Sequence, residues 1–302
     1  MIQVGVDIGG SHIAACLYDS IGQQLILDSR STYHVDPNWE AGRILDTWGA
    51  AIGTTISCAQ NKVAGVGIAI PGPFDYYDGI SKITGVNKYE CLYDMNIKIE
   101  LAARLGMPVS QVRFINDASA FAIAVSTIGK AKSFDRCVAI TLGTGLGASF
   151  ILNRKPVFSD SQVPEGGFLY NQLVDGVMAD ELFSTRGLLH LYHIVSGQRA
   201  TNALEIYQMA KNESKARETF QLFGQELGRF LGPFIEKFDA EVLVLGGNIS
   251  NAFEYFKDQL VDELPITEVH LSGLMDHAAL IGGALLVDDD YYRELSDLIK
   301  EM

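Results

Sequence analysis

The sequence predicts an α/β protein built from two related domains around a central cleft, and three observations carry this. The chain has 302 residues, enough for about two domains at roughly 150 residues each. A strand, a glycine turn and a second strand occur twice: residues 2–7, Gly9-Gly10 and 12–18, then 137–142, 143–147 and 148–152. Setting Gly143 on Gly9, an offset of 134 residues, pairs Val4 with Val138, Val6 with Ile140, Ile8 with Leu142, Ala14 with Ala148 and Leu17 with Ile151. Residues 63–72 and 242–247 are likewise both apolar strands ending in glycine turns. Two glycine-rich hairpins can be just two hairpins. In corresponding positions they read as a duplicated domain, with one turn from each half facing a shared cleft.

The elements follow in order. Strands are expected at 2–7, 12–18 and about 24–29, the last after a turn at Asp19-Ser20-Ile21-Gly22. Apolar residues at Ile44, Leu45, Trp48, Ile52 and Ile56 have helical spacing and predict a helix over 40–59. A buried strand at 63–70 runs into Pro71-Gly72-Pro73, a helix covers 97–105, and a short strand at 113–115 delivers Asn116 and Asp117 to an Ala-rich helix over 118–128. In the second half a helix is expected around 177–183, a loop at 196–201 and a long helix over 214–237. A strand at 241–245 then leads into Gly246-Gly247-Asn248. Helices at 251–260 and 277–286 flank a short strand near Val269, and a last helix at 289–300 folds back onto the first domain. The expected domains are 1–116 with 288–302, and 117–287.

Acidic residues number 37 and basic ones 23, for a formal net charge of −14. Nucleic acid and anionic membranes both need a basic surface, so neither is an expected partner. A small anion held by backbone N–H groups is not excluded. The N-terminus lacks a signal-peptide layout. The apolar stretch at 137–152 is too short and too glycine-rich to span a membrane. Cys16, Cys58, Cys91 and Cys137 are far apart in sequence and are expected to be buried free thiols in a reducing cytosol, without a zinc ribbon.

Gly143-Thr144-Gly145-Leu146-Gly147 is not a dinucleotide fingerprint, because a strand and not a helix follows it. A tight glycine turn between strands instead exposes consecutive N–H groups to an anion. Asp7-Ile8-Gly9-Gly10-Ser11-His12 is the same device with a carboxylate at the strand end, which suits Mg²⁺ between Asp7 and a phosphate. A plain hairpin turn would need the glycines but not Asp7.

At this point the chain resembles a family. Asp7 to Ser11 (D-I-G-G-S), Ala69 to Asp75 (A-I-P-G-P-F-D), Asn116 to Ala118 (N-D-A) and Gly143 to Gly147 (G-T-G-L-G) resemble the motifs of the ROK sugar kinases. So do Glu165 to Gly167 (E-G-G), Leu245 to Ile249 (L-G-G-N-I) and Ala279 to Ala284 (A-L-I-G-G-A), in family order along nearly the whole chain. The resemblance implies two actin/hexokinase-like (ribonuclease H-like) domains and ATP-dependent phosphorylation of a hexose or N-acetylhexosamine hydroxyl in the cytoplasm, often as a homodimer. Asp117 is then the general base, although Asp at the start of a helix is also a favoured N-cap. Gly72, Asn87, Asn116, Asp117, Glu165 and Asp180 match sugar-contacting positions. Asp180 is a shorter carboxylate than the family's Glu and has Glu181 beside it. Glu165 and Asn87 have the alternative of being solvated loop residues. The nucleotide falls to Gly9, Gly10, Ser11, His12, Gly143, Thr144, Gly145, Gly246, Gly247 and Asn248, and Mg²⁺ to Asp7 through water.

Two departures bear on function. Many family members hold zinc with a His after Glu-x-Gly and a cysteine run. Here Phe168 takes the His place and no cysteine follows Cys137, so no zinc is expected. Apolar packing by Phe168, Leu169, Tyr170, Leu173, Val174 and Val177 is expected to brace the sugar loop instead. Ser11-His12 stands where Thr-Lys is common, replacing a permanent cation with a titratable ring or a plain exposed strand residue. The rival readings are a catalytically silent sugar sensor, suggested by these losses, and a DNA-binding repressor. With Asp7 as the seventh residue and a charge of −14, the repressor is not expected.

Overall fold

The computed structural model describes residues 1–85, 88–266 and 268–301. The chain forms two units, Met1–Ala124 with Asp276–Met302, and Val125–Met275.

The first unit begins with β1 (Ile2–Ile8), β2 (His12–Asp19), β3 (Gln24–His34), α1 (Ala41–Ser57) and β4 (Val66–Ile70). A small hairpin of β5 (Phe74–Asp75) and β6 (Ile80–Ser81) comes next, then α2 (Ile97–Leu105), β7 (Val112–Asn116) and α3 (Asp117–Thr127). The sheet order is β3-β2-β1-β4-β7, with β1, β4 and β7 parallel, β2 antiparallel to β1, and β3 antiparallel to β2. β4 is buried at every residue, as expected of a central parallel strand covered on both faces. α1 turns Ile44, Leu45, Trp48, Ala51 and Ile52 into the core. α2 is closed by the Asn96 side chain at its start and by left-handed Gly106 (φ 62°) at its end. β3 runs five residues beyond the expected end at 29. The one buried residue there is a serine and not an apolar group: Ser31 donates to Ala51 O (2.7 Å).

The second unit contains β8 (Arg136–Leu142), β9 (Leu146–Leu152), β10 (Lys155–Val157), a hairpin of β11 (Leu173–Val174) and β12 (Val177–Met178), and α4 (Ala179–Leu182). It continues with α5 (Thr185–Ser196), α6 (Ala203–Ala210), α7 (Ser214–Phe238), β13 (Val242–Gly246), α8 (Lys257–Asp262) and β14 (Val269–Leu271). Its sheet order, β10-β9-β8-β13-β14, repeats that of the first unit strand for strand and direction for direction. β1 and β8 lie at the expected offset and share one burial pattern along their seven residues. The duplication is therefore in the architecture as well as in the motifs.

Helices α9 (Ala278–Leu285) and α10 (Asp289–Lys300) belong to the first unit. Glycines let α9 lie against the sheet backbone. A methyl group on Gly5 would stand 1.9 Å from Leu280 O, and one on Gly67 1.8 Å from Gly283 O. Gly282 approaches α3 as closely, at 1.9 Å from Ala120 O. The units divide after Ala124 and before Asp276. α10 is capped by Asp288 and tied to β7 through Arg113, which donates to Leu286 O (2.6 Å) and pairs with Asp289.

Three further expectations change. The segment 177–183 is a strand and a short helix, not one helix, and 251–260 is a 3-10 helix followed by the start of α8. Cys16 and Cys137 are buried, but Cys58 and Cys91 are exposed. Among the described residues no helix is long and apolar enough to cross a membrane.

Candidate functional site

In the first unit the carboxyl ends of three adjacent parallel strands collect the candidate residues. Asp7 sits one residue from the end of β1 and opposite Ala69 of β4, while Asn116 ends β7 opposite Ile70. The edge beyond parallel strand ends is where open α/β sheets bind ligands. The Gly9–His12 turn leaves β1 there, and Gly72 comes two residues after β4.

Asn116 and Asp117 divide the labour at the start of α3. The Asn116 side-chain oxygen accepts the N–H groups of Ala118 (3.0 Å) and Ser119 (3.3 Å), and its amide donates to the Tyr76 hydroxyl (3.1 Å). The capping considered for Asp117 is therefore performed by Asn116, which is 8% exposed and whose second amide proton has no partner among the described residues. Asp117 accepts its neighbour Ala118 N–H (2.9 Å) and remains reachable by solvent. The Tyr76 hydroxyl also donates to Ile70 O (3.3 Å), and a methyl on Gly72 would stand 3.0 Å from it. A methyl on Gly72 would thus crowd Tyr76, a residue the sequence motifs do not single out. Asn87, expected at the sugar, lies outside the described residues.

Both carboxylates are held above their ordinary range. Burial, then the nearby Asp117 charge, pushes Asp7 up to about 7. Burial raises Asp117 as well, even though its side chain meets solvent, because the surrounding protein removes much of its hydration. Between the unfolded value of 3.8 and about 7, the folded chain holds a proton on Asp7 that the unfolded chain has released. Stability from this group therefore falls as pH rises through that window. Asp7→Asn is expected to melt above wild type near pH 8 and level with it near pH 4, by roughly 2–4 °C per kcal/mol relieved. Thermal unfolding at the two pH values checks this, and equal melting at both would contradict it.

In the second unit the turn after β8 is clasped from the α4–α5 junction. Thr185 donates its N–H and its hydroxyl to Gly143 O (both 2.8 Å), and Leu146 N–H donates to Asp180 Oδ1 (2.7 Å). Arg186 binds Asp180 Oδ2 (2.6 Å) and Glu181 (2.8 Å) and reaches Thr144 O (3.4 Å). A methyl on Gly145 would stand 2.8 Å from Asp180 Oδ1, so a larger residue there would displace this carboxylate. Asp180, expected at the sugar, thus has both oxygens engaged in holding the glycine turn. Gly247 (φ 84°) approaches the same turn from β13, where a methyl would meet Leu142 O at 2.3 Å. Gly246 pairs with Thr141, and Asn248 opens a 3-10 helix.

Glu165 is exposed and has no protein partner among the described residues, at the start of a one-turn 3-10 helix. Gly166 and Gly167 both adopt φ 68°, which explains the glycine pair. The apolar brace expected after this turn is only partly formed. Leu169 is buried and Phe168 meets the Tyr170 ring at 5.7 Å, but Leu173 and Val177 are exposed at 67% and 42%. Backbone pairing holds the segment in its place. Asp175 (φ 50°) and Gly176 (φ 85°) make a two-residue turn between β11 and β12. Ala179 N–H then donates to Gln172 O (2.8 Å) and Asp180 N–H to Tyr170 O (3.0 Å). Among the described residues no group of three or more His, Cys, Asp or Glu side chains stands together as a metal site.

Comparison with known proteins agrees with this geometry. The profile of the ROK family matches residues 3–290. The N-acetyl-D-glucosamine kinase of Haemophilus influenzae is 26% identical over 285 residues, covering 86% of this chain and 88% of that protein. The ROK hexokinase of Thermus thermophilus superposes with a TM-score of 0.77 at 24% identity, over 98% of this chain and 100% of that one. A ROK family glucokinase from Streptomyces griseus, solved with glucose and AMPPNP, gives 0.74 at 22% identity, over 95% and 99%. The structural likenesses establish the α/β, actin/hexokinase-like fold.

Proposed function

The chain belongs to the ROK family, and from that premise we propose that it transfers the terminal phosphoryl group of ATP to a hydroxyl of a hexose or N-acetylhexosamine. The observation that carries this reading is the Asp117 carboxylate. It stands at the carboxyl end of the sheet near Asp7, and Asn116 relieves it of capping duty. Asp117 accepts the proton of the attacking hydroxyl and orients its oxygen. Glu165, Gly72 and the remaining Asn116 amide proton are the sugar contacts. The turns at Gly9–His12 and Gly143–Gly145, with Gly246 to Asn248, receive the nucleotide. Related proteins named as N-acetyl-D-glucosamine kinase support the N-acetylhexosamine class.

The donor set also fits Mg²⁺. Asp7 and Asp117 are both pushed toward their neutral forms, so a divalent cation would relieve a charge conflict. When bound, it supplies charge neutralisation at the phosphates, with Asp7 holding it through water. The Asp-Gly hairpin and its two backbone bonds support a zinc-free sugar loop.

We assign Asp180 to the nucleotide turn and not to the sugar. Asp180→Ala is expected to raise KM for ATP by about tenfold, the worth of a charge-assisted hydrogen bond, with sugar KM little changed. The opposite split would return Asp180 to the sugar. The kinase reading itself is tested by ADP release over a panel of hexoses and N-acetylhexosamines, with Asp117→Asn run alongside. Binding of a sugar without turnover of any would favour a sensor.

A further inference from the structure

Both glycines of the first unit's turn are covered by side chains. A methyl on Gly9 would stand 2.7 Å from His12 Cε1. One on Gly10 would stand 3.1 Å from Lys88 Nζ and 3.3 Å from its Cε. Lys88 arrives from a loop far along the chain, and the residue beside it is firmly anchored. Tyr89 is 1% exposed and sits edge-on to Trp48. Its phenol donates to Gly9 O (2.7 Å), and its N–H donates to Pro37 O (3.1 Å). Tyr89 therefore fixes Lys88 against the turn. Lys88 itself is exposed, and among the described residues its ammonium has no carboxylate or carbonyl partner. In a chain of net charge −14, a cation left unpaired over a glycine turn has a use other than an internal ion pair.

We propose that Lys88 supplies the positive charge of the first phosphate turn, donating to terminal phosphoryl oxygens of a nucleotide whose phosphates lie along Gly9, Gly10 and Ser11. This rests on the kinase reading of that turn. The strand position after Ser11 holds a histidine, His12, whose ring lies over Gly9. A lysine on a flexible stem is a permanent point charge able to follow phosphate oxygens. The cation thus enters from the residue before Tyr89, in place of the strand position after Ser11.

The test is equilibrium binding of ATP and of adenosine to the wild-type protein, Lys88→Met and Lys88→Arg, with sugar KM measured in parallel. Lys88→Met is expected to bind ATP about tenfold more weakly, the value of an exposed charge-assisted hydrogen bond. Adenosine affinity and sugar KM should be unchanged, and Lys88→Arg should retain most of the ATP affinity. The variants keep the fold because the side chain is exposed. Unaltered ATP binding in an active Lys88→Met protein, or a loss confined to the sugar, overturns the assignment alone. A wild-type protein that neither binds ATP nor phosphorylates a sugar overturns the kinase reading together with it.

Discussion

Asp117→Asn is expected to lower kcat by about 10²–10⁴-fold, the range for loss of a positioned general base, while the protein stays folded. The second half of that expectation comes from Asn116. Its side-chain oxygen holds the Ala118 and Ser119 N–H groups, so the start of α3 does not depend on the Asp117 charge. The new amide oxygen can still accept from Ala118. By the same linkage as at Asp7, the melting temperature near pH 8 should be equal to or above that of wild type and not below it, which separates a lost base from a lost fold. The pH profile adds a check. The base must be ionised to accept a proton, and burial raises Asp117 above its ordinary value of 3.8. Activity should fall on the acid side along a limb lying above the usual carboxylate range, and Asp117→Asn should lose that limb. Full activity in the variant would remove Asp117 from the reaction.

The largest stability effect is expected at Gly67. An added methyl would lie 1.8 Å from Gly283 O and 2.7 Å from its carbonyl carbon. Gly67 lies in a central strand and both atoms it would meet are backbone of α9, so no side chain can move aside. Gly67→Ala should cost more than the 1–3 kcal/mol of ordinary overpacking, about 4 kcal/mol or loss of the folded protein. Gly53→Ala is the control. It lies in α1, and an added methyl there meets nothing within 4 Å. Relieving a helical glycine in open space should stabilise by about 0.5–1 kcal/mol. Urea unfolding of the two variants reads both effects. A cost below about 1 kcal/mol at Gly67 would mean that α9 does not press on the sheet.

The duplicated sheets are legible in the sequence because their central strands are continuous apolar runs ending in glycine, a signal that survives without neighbours. β3 beyond residue 29 is hidden because Ser29 and Ser31 are buried and satisfy themselves by hydrogen bonds, breaking the apolar alternation. β12 reads as the start of a helix from its apolar residues, although Asp175-Gly176 between apolar pairs is a strong hairpin signal. Helices α5 and α6 have no counterpart among the expected elements. A sign of α6 is nonetheless present: Asn202 caps the Glu205 N–H (2.9 Å) while the Glu205 carboxylate accepts Thr201 N–H (2.7 Å). In the site, Asp7, Asn116, Asp117 and Glu165 stand out because each belongs to a short motif. Tyr76, Lys88 and Arg186 do not. Each meets its motif only after folding, and a single tyrosine, lysine or arginine carries no spacing by which to find it.

The most direct measurement is product formation by the wild-type protein with ATP, Mg²⁺ and individual sugars, following ADP and sugar phosphate together. At least one hexose or N-acetylhexosamine should yield the two products in equal amounts, with release abolished by omitting the sugar and reduced by Asp117→Asn. A protein that binds a sugar from the panel yet forms no sugar phosphate from any of them would contradict the account.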